Sequence, residues 1–205
     1  MIEEVGDTLE IFGESGTGKT TFALHILKNW KDGKAIYIDS EKNLLKAPEN
    51  ADYVYLSNFS DLYDFVMSLK DGYKLVILDS IGLPILGEFA TLPLNQRGDI
   101  LLKAQAMSYN LKRYAQRNNA LVIVLNQPES EFAKEKGHVL RPFGDKSIYF
   151  FKEVWRTSLA YSTPQKTVCN VKAFRSRKYG RDTPLYQIII SKDKTEVVPV
   201  GQRKA

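Results

Sequence analysis

Residues 13–20 read Gly13-Glu14-Ser15-Gly16-Thr17-Gly18-Lys19-Thr20, which matches the phosphate-loop pattern G-x-x-x-x-G-K-[ST] at every defined position. In that pattern the glycines let backbone N–H groups turn toward phosphates, the lysine reaches the β- and γ-phosphates, and the Thr20 hydroxyl binds Mg²⁺. A glycine-rich turn without a ligand is the alternative. A strand-like run before the loop and helical spacing after it favour the phosphate loop. We therefore predict that this stretch and Thr21 bind a nucleoside triphosphate, such as ATP, with Mg²⁺ as cofactor.

Composition restricts the class of protein. The chain has 205 residues, of which 43% are hydrophobic and 26% charged, and we expect one globular domain over 1–205. The apolar run 121–125 is far too short to cross a bilayer, so no membrane partner is expected. The acidic start of the chain lacks a signal segment, and Cys169 is the only cysteine. These features predict a cytoplasmic location, which includes the nucleoid.

Charge is divided unevenly along the chain. Residues 1–100 contain 9 Lys and Arg against 16 Asp and Glu, whereas residues 101–205 contain 20 against 8. The second half is therefore strongly basic, which is typical of a surface that binds polyanions. Alternatively, its basic residues are solvated or pair with acidic residues of the first half, including those of a neighbouring subunit.

The order of predicted elements indicates the fold class. Short apolar runs predict strands buried on both faces at 35–38, 53–56, 75–78 and 121–125. Helical spacing lies between them, at about 19–30, 60–70 and 97–118. Further strands are predicted at 154–161, 167–174, 185–190 and 196–200. We predict an α/β fold with a mainly parallel sheet, flanking helices and a C-terminal antiparallel extension. The segments 87–97 and 128–147 lack clear periodicity, and we expect them to be the most mobile.

Two carboxylates follow buried strands. Asp79 ends the run 75–79, where a phosphate-loop enzyme places the group that orients Mg²⁺ opposite its Ser or Thr ligand. We expect Thr20 and Asp79 to form this pair. Glu41 follows the run 35–38 and should emerge at the same sheet edge. It is the candidate for positioning or deprotonating the attacking water, although its spacing suits an exposed loop residue equally well.

Amides and basic residues supply further candidates. Asn126 and Gln127 follow the apolar run 121–125, and such an amide can bind a γ-phosphate and lose that bond on hydrolysis. They also suit a turn before Pro128. A later cluster contains only basic charges, at Lys172, Arg175, Arg177, Lys178 and Arg181. It suits an inter-subunit finger, a phosphate-backbone patch or a solvated hairpin.

These motifs, in this order, resemble the core of the RecA-type recombinases, particularly the archaeal RadA and RadB branch. The resemblance rests on residues 6–13, 37–41, 78–82, 96–99, 125–127, 141–144 and 174–177. It implies a RecA-like P-loop NTPase, a slow Mg²⁺-dependent ATPase that acts with single-stranded or duplex DNA, independent of sequence, in recombination or repair. By this likeness Glu41 is the catalytic glutamate and Gln127 the γ-phosphate switch, acting with Lys19. The segments 87–97 and 128–143 correspond to DNA loops, with Lys134, Lys136 and Arg141 as candidate contacts.

Three departures limit what the resemblance implies. The first core strand begins within a few residues of Met1, so we do not expect long filaments, although smaller oligomers stay open. The segment 128–147 carries as many acidic as basic residues, which predicts weak DNA binding by this loop alone. Ala173 stands where the family's Lys-x-Arg finger has lysine, leaving Lys172, Arg175 and Arg177 as alternatives.

Two other functions stay open at this stage. In the first, the chain is a nucleotide-dependent accessory protein that regulates the main recombinase, or another repair protein, through protein contacts. In the second, it is a metabolite or nucleoside kinase, which would share the phosphate loop. Glu41 and Gln127 disfavour the kinase.

Overall fold

The computed structural model describes residues 8–127 and 149–200. The strands of this part are β1 (Thr8–Phe12), β2 (Ala35–Asp39), β3 (Asp52–Tyr55), β4 (Leu75–Asp79), β5 (Leu121–Asn126), β6 (Glu153–Ser162), β7 (Lys166–Arg175), β8 (Pro184–Ser191) and β9 (Thr195–Pro199). The helices are α1 (Lys19–Asn29), α2 (Phe59–Met67), α3 (Gly82–Thr91) and α4 (Arg97–Asn118). A short 3₁₀ helix, Leu94–Gln96, precedes α4. None of these helices is long and apolar enough to span a bilayer.

All these strands form one sheet, in the order β3-β2-β4-β5-β1-β6-β7-β8-β9. The pairs from β3 through β6 are parallel, and those from β6 through β9 are antiparallel. The α/β class, the mainly parallel sheet and the antiparallel C-terminal extension are therefore confirmed. Because parallel strands end at the same edge, the residues that follow β1, β2, β4 and β5 meet there.

An apolar layer covers each face of the central parallel strands. On one face, α1 packs Phe22 and Ile26 against strand residues such as Ile77. On the other face, α2 and α4 pack Leu62 and Leu111 against the opposite side chains of the same strands. Since both faces are covered, β1, β2, β4 and β5 are buried along their whole lengths. Strand β3 lies at the edge of the sheet and is half-buried or exposed, so the predicted burial of 53–56 on both faces is wrong. The rigid sheet thus fixes the position of the edge at which the loops converge.

The segment 87–97 is more regular than its sequence pattern indicates, and its mobility stays a prediction. Most of it is regular, because α3 extends to Thr91 and is followed by the 3₁₀ helix. Ile85 and Phe89, one helical turn apart, pack on the core, whereas Leu83 and Leu86 remain exposed. These exposed leucines obscured the helical spacing in the sequence. The second segment expected to be mobile, 128–147, lies outside the described residues.

Candidate active site

The phosphate-loop pattern joins β1 to α1. Gly16 and Gly18 have φ angles of 73° and 85°, a left-handed conformation that side chains with a Cβ rarely adopt. Gly18 is the N-cap of α1 and provides no side-chain cap for the first N–H groups of the helix. These N–H groups and the partial positive charge of the helix end are suited to bind phosphate oxygens.

Lys19 is held inside this loop. Its ammonium Nζ donates hydrogen bonds to the carbonyl oxygens of Gly13, at 2.8 Å, and Glu14, at 2.9 Å. Burial lowers the pKa of Lys19, and the nearby carboxylates of Glu41 and Asp79 act in the opposite direction. A negatively charged phosphate would favour the ammonium form in the same way as these carboxylates.

Strands β6 and β8 support the loop from its other side. A Cβ on Gly13 would lie 2.1 Å from Oγ1 of Thr157 and 2.5 Å from its carbonyl oxygen. The Thr157 hydroxyl is also 2.7 Å from the hydroxyl of Thr17. A Cβ on Gly18 would lie 2.8 Å from Cδ1 of Ile188. The C-terminal strands therefore determine how close the phosphate loop can approach the sheet.

We expect Gly13→Ala to weaken ATP binding by at least about tenfold and to destabilise the protein by about 1–3 kcal/mol, because the methyl group must displace the loop or Thr157. Gly87→Ala is the matched control, since Gly87 lies in α3 with open space around its Cβ position. The control should gain about 0.5–1 kcal/mol from helix propensity and keep its ATP affinity. Thermal unfolding and equilibrium nucleotide binding measure both effects. Equal ATP affinity in Gly13→Ala and the parent would contradict this role of Thr157.

Thr20 and Asp79 are in direct contact. The Thr20 hydroxyl donates to Oδ2 of Asp79 over 2.8 Å, and the Tyr37 hydroxyl donates to the same oxygen over 2.6 Å. Burial raises the pKa of Asp79, while the two hydrogen bonds act to lower it. A buried carboxylate next to a hydroxyl is a favourable place for a hard cation such as Mg²⁺, which binds oxygen ligands. The donor set therefore fits the magnesium role predicted for this pair.

Glu41 and Gln127 also meet. The side-chain amide of Gln127 donates to Oε1 of Glu41 over 3.2 Å, and the Ser80 hydroxyl donates to the same oxygen. Asn43 donates to the other oxygen, Oε2, over 2.7 Å. The candidate base and the candidate γ-phosphate sensor are thus linked by one hydrogen bond. A movement of Gln127 in response to a change at the phosphate would therefore alter its hydrogen bond to Glu41.

Most of the residues predicted for the nucleotide site line a single cleft of about 200 Å³. Its walls combine the phosphate loop, both carboxylates and the amide: Ser15, Gly16, Gly18, Lys19, Thr20, Thr21, Glu41, Asn43, Asp79, Gln127 and Ile190. Gly13, Glu14 and Thr17 belong to the loop but do not line the cleft. Residues from five segments that are far apart in the chain therefore share one site.

The basic cluster lies away from this cleft. Arg175 pairs with Val154, which pairs in turn with Glu10 in the middle of β1. The turn that carries Arg177 and Lys178 continues toward the amino-terminal edge of β1, opposite the phosphate loop. Lys172 lies nearer to the phosphate-loop edge of the sheet, since it pairs with Arg156, which pairs in turn with Phe12 at the end of β1. None of these four candidates lines the cleft of their own chain, and Lys134, Lys136 and Arg141 lie outside the described residues.

Sequence reasoning missed several residues of the site. Ile190 comes from β8, about 170 residues beyond the phosphate loop, and no local pattern connects the two. Tyr37 resembled any other apolar residue of a buried strand, and its hydroxyl contact requires a second strand. Asn43 stands two residues after Glu41, and its loop position was the one available signal.

One comparison with known proteins agrees with this geometry. Residues 7–90, less than half of the chain, match the family model described as an AAA domain. No curated protein matches the chain. The matched region begins just before β1 and extends into α3, so it contains the phosphate loop, Glu41 and Asp79. It is similar to a P-loop NTPase-type domain, a class of domains that binds nucleotides.

Proposed function

We propose that this chain binds Mg²⁺-ATP in the cleft and hydrolyses it slowly, as a RecA-type ATPase. One observation carries the proposal most strongly. Lys19, Thr20, Asp79, Glu41 and Gln127 come from four separate segments and line one cleft at the carboxyl edge of a parallel sheet. Each has the chemistry that phosphoryl transfer to water requires.

The residues have distinct roles in this proposal. The phosphate-loop N–H groups and Lys19 bind the phosphates, and Thr20 with Asp79 holds Mg²⁺, which neutralises charge on the phosphate oxygens. Glu41 accepts a proton from the attacking water or orients it. Gln127 binds the γ-phosphate and transmits its loss through the contact with Glu41. Release of phosphate from ATP, measured with Mg²⁺ and with EDTA, tests this function.

We further propose that the chain acts with DNA in recombination or repair, independently of sequence. The order of motifs that resembles the RecA-type recombinases supports this proposal, as does the basic second half of the chain. The turn at Arg177 and Lys178 is exposed and lies away from the ATP cleft, so it is available to a phosphate backbone. It is equally available to a second subunit or a repair protein.

We expect Arg177→Ala/Lys178→Ala to weaken DNA binding and to reduce its salt dependence. Each lost phosphate contact lowers the slope of log K against log salt by about 0.7 on single strands and about 0.9 on duplexes. The double variant should therefore lower the single-strand slope by up to about 1.4. Fluorescence anisotropy with labelled oligonucleotides, over a range of salt concentrations and with ATP present, measures both effects.

The matched control is Lys28→Ala/Lys31→Ala, which removes two exposed charges from the acidic half of the chain. Its salt slope should equal that of the parent. If Arg177→Ala/Lys178→Ala keeps both affinity and slope but loses ATP turnover or self-association, the turn acts between subunits. If the parent binds no DNA at low salt with ATP, the accessory protein that acts through protein contacts becomes the better proposal.

A further inference from the structure

Two tyrosines lie side by side behind the site. Tyr37 of β2 and Tyr53 of β3 are on neighbouring strands, with ring centroids 6.5 Å apart and ring planes 20° from parallel. The Tyr37 hydroxyl donates to Oδ2 of Asp79, and the Tyr53 hydroxyl donates to Oδ2 of Asp39 over 2.9 Å. Each tyrosine therefore holds one carboxylate at the end of a strand.

The contact of Tyr37 with Asp79 concerns the proposed metal site directly. Oδ2 of Asp79 accepts from Tyr37 and Thr20 at the same time, so the carboxylate is held from two different elements. No side-chain donor among the described residues bonds to its other oxygen, Oδ1. Two donors on one oxygen fix the rotation of the carboxylate and leave Oδ1 for a cation or a cation-bound water. Ligand orientation by such outer contacts commonly determines metal affinity.

The hydroxyl of Tyr37 is not needed to fill the core. Tyr37 is fully buried, and phenylalanine would fill the same core volume without a polar atom to desolvate. Burial and the charge of Asp79 both raise the pKa of Tyr37, so its phenol stays protonated and acts as a donor. The placement of the hydroxyl is explained if its role is to donate a hydrogen bond that orients the Asp79 carboxylate.

We propose that Tyr37 is a positioning residue for Mg²⁺: its hydroxyl holds the Asp79 carboxylate in the orientation that, with Thr20, binds the cation of Mg²⁺-ATP. The proposal rests on the nucleotide site proposed above. We expect Tyr37 to affect the metal more than the nucleotide, because it contacts Asp79 but does not line the cleft. Removing the hydroxyl should therefore weaken the effect of Mg²⁺ on ATP binding while the phosphate loop itself is unchanged.

Tyr53 provides a control from the same stack. Its partner Asp39 accepts backbone N–H bonds from Glu41 and Lys42 through Oδ1, so Tyr53 supports the turn that carries Glu41. Tyr53 makes no hydrogen bond to Asp79 in the described part of the chain. Tyr114 provides a second control, because it is buried on α4 and its hydroxyl accepts from the N–H of Tyr73 and donates to the Lys70 carbonyl. Tyr114→Phe removes a buried hydroxyl far from the cleft.

The experiment measures the affinity for ATP twice, in EDTA and in saturating Mg²⁺. The ratio of the two dissociation constants gives the coupling between Mg²⁺ and ATP. We expect Tyr37→Phe to bind ATP in EDTA as the parent does and to show a coupling lower by about tenfold. Tyr53→Phe and Tyr114→Phe should keep the coupling of the parent within about twofold.

The outcomes separate this proposal from the proposed function. If the parent binds no ATP, the proposed function fails and the role of Tyr37 fails with it. If the parent shows coupling and Tyr37→Phe shows the same coupling, the proposed function stands and the positioning role is overturned. An equal loss of affinity in EDTA and in Mg²⁺ would also overturn it, since that result indicates disturbed packing.

A second measurement does not depend on the folding of Tyr37→Phe. Site-specific 3-fluorotyrosine at position 37 keeps the ring and the hydroxyl and adds a ¹⁹F signal next to the hydrogen bond. We expect this signal to shift when Mg²⁺ is added to the ATP-bound protein. A signal that does not respond to Mg²⁺, in protein that binds Mg²⁺-ATP, would contradict the proposal. The same label at position 114 should not respond.

Discussion

Lys19→Ala should lose on the order of 100-fold in affinity for Mg²⁺-ATP. Lys19 is buried in the phosphate loop, and its ammonium is the one basic side chain among the cleft-lining residues that the structure describes. Removing a buried partner of a charged hydrogen-bonded group typically costs about 2–5 kcal/mol, a range that starts at about 30-fold in affinity and includes the 100-fold loss expected here. Isothermal titration calorimetry with ATP and Mg²⁺ measures the change.

Two controls make the Lys19→Ala result specific. Lys28→Ala removes an exposed charge from the last turn of the same helix and should keep the affinity of the parent. Circular dichroism establishes whether Lys19→Ala is folded, which matters because Lys19 also bonds to the carbonyls of Gly13 and Glu14. A folded Lys19→Ala variant that binds ATP as tightly as the parent would contradict the assignment of the phosphate loop.

Glu41→Gln should separate binding from chemistry. The amide has nearly the shape of the carboxylate but cannot accept a proton from water, so ATP turnover should fall about 10²- to 10⁴-fold. ATP affinity should change little, because in this proposal Lys19, the loop N–H groups and Gln127 contact the phosphates, whereas Glu41 acts on the attacking water. Steady-state phosphate release and equilibrium ATP binding, measured on the same preparation, test both parts of this prediction.

Glu49→Gln is the matched control for Glu41→Gln. Glu49 lies in the same loop between β2 and β3, is exposed, and pairs with Lys46 rather than with a residue of the cleft. Its variant should turn over ATP at the rate of the parent. If Glu41→Gln also hydrolyses ATP at the parental rate, another group serves as the base and the role assigned to Glu41 is wrong.

The central sheet could be predicted because each of its strands carries its own signal. The runs 75–78 and 121–125 are apolar throughout, which occurs where both faces are covered, and the structure has strands at both places. The phosphate loop and the strand-end carboxylate Asp79 could be predicted for the same reason, because each lies next to a strand that the sequence predicts. Helix α3 was missed because its exposed leucines interrupt the apolar spacing.

The supporting contacts of the site could not be predicted. Thr157 touches Gly13, and Ile188 lies against Gly18, although about 145 and 170 residues separate the members of each pair. Such contacts depend on strand order, and β6 is placed beside β1 only once the whole sheet is formed. The Tyr37 contact with Asp79 depends likewise on the pairing of β2 with β4. Local sequence patterns do not specify the order of the strands in the sheet.

All the roles proposed for these residues require that the cleft binds Mg²⁺-ATP. Calorimetric titration of ATP into the unmodified protein, once with Mg²⁺ and once with EDTA, tests this claim most directly. We predict saturable binding of one ATP per chain that is tighter with Mg²⁺ than with EDTA, because Thr20 and Asp79 hold the cation next to the phosphates. The absence of saturable ATP binding in either titration, with folded protein, would contradict it.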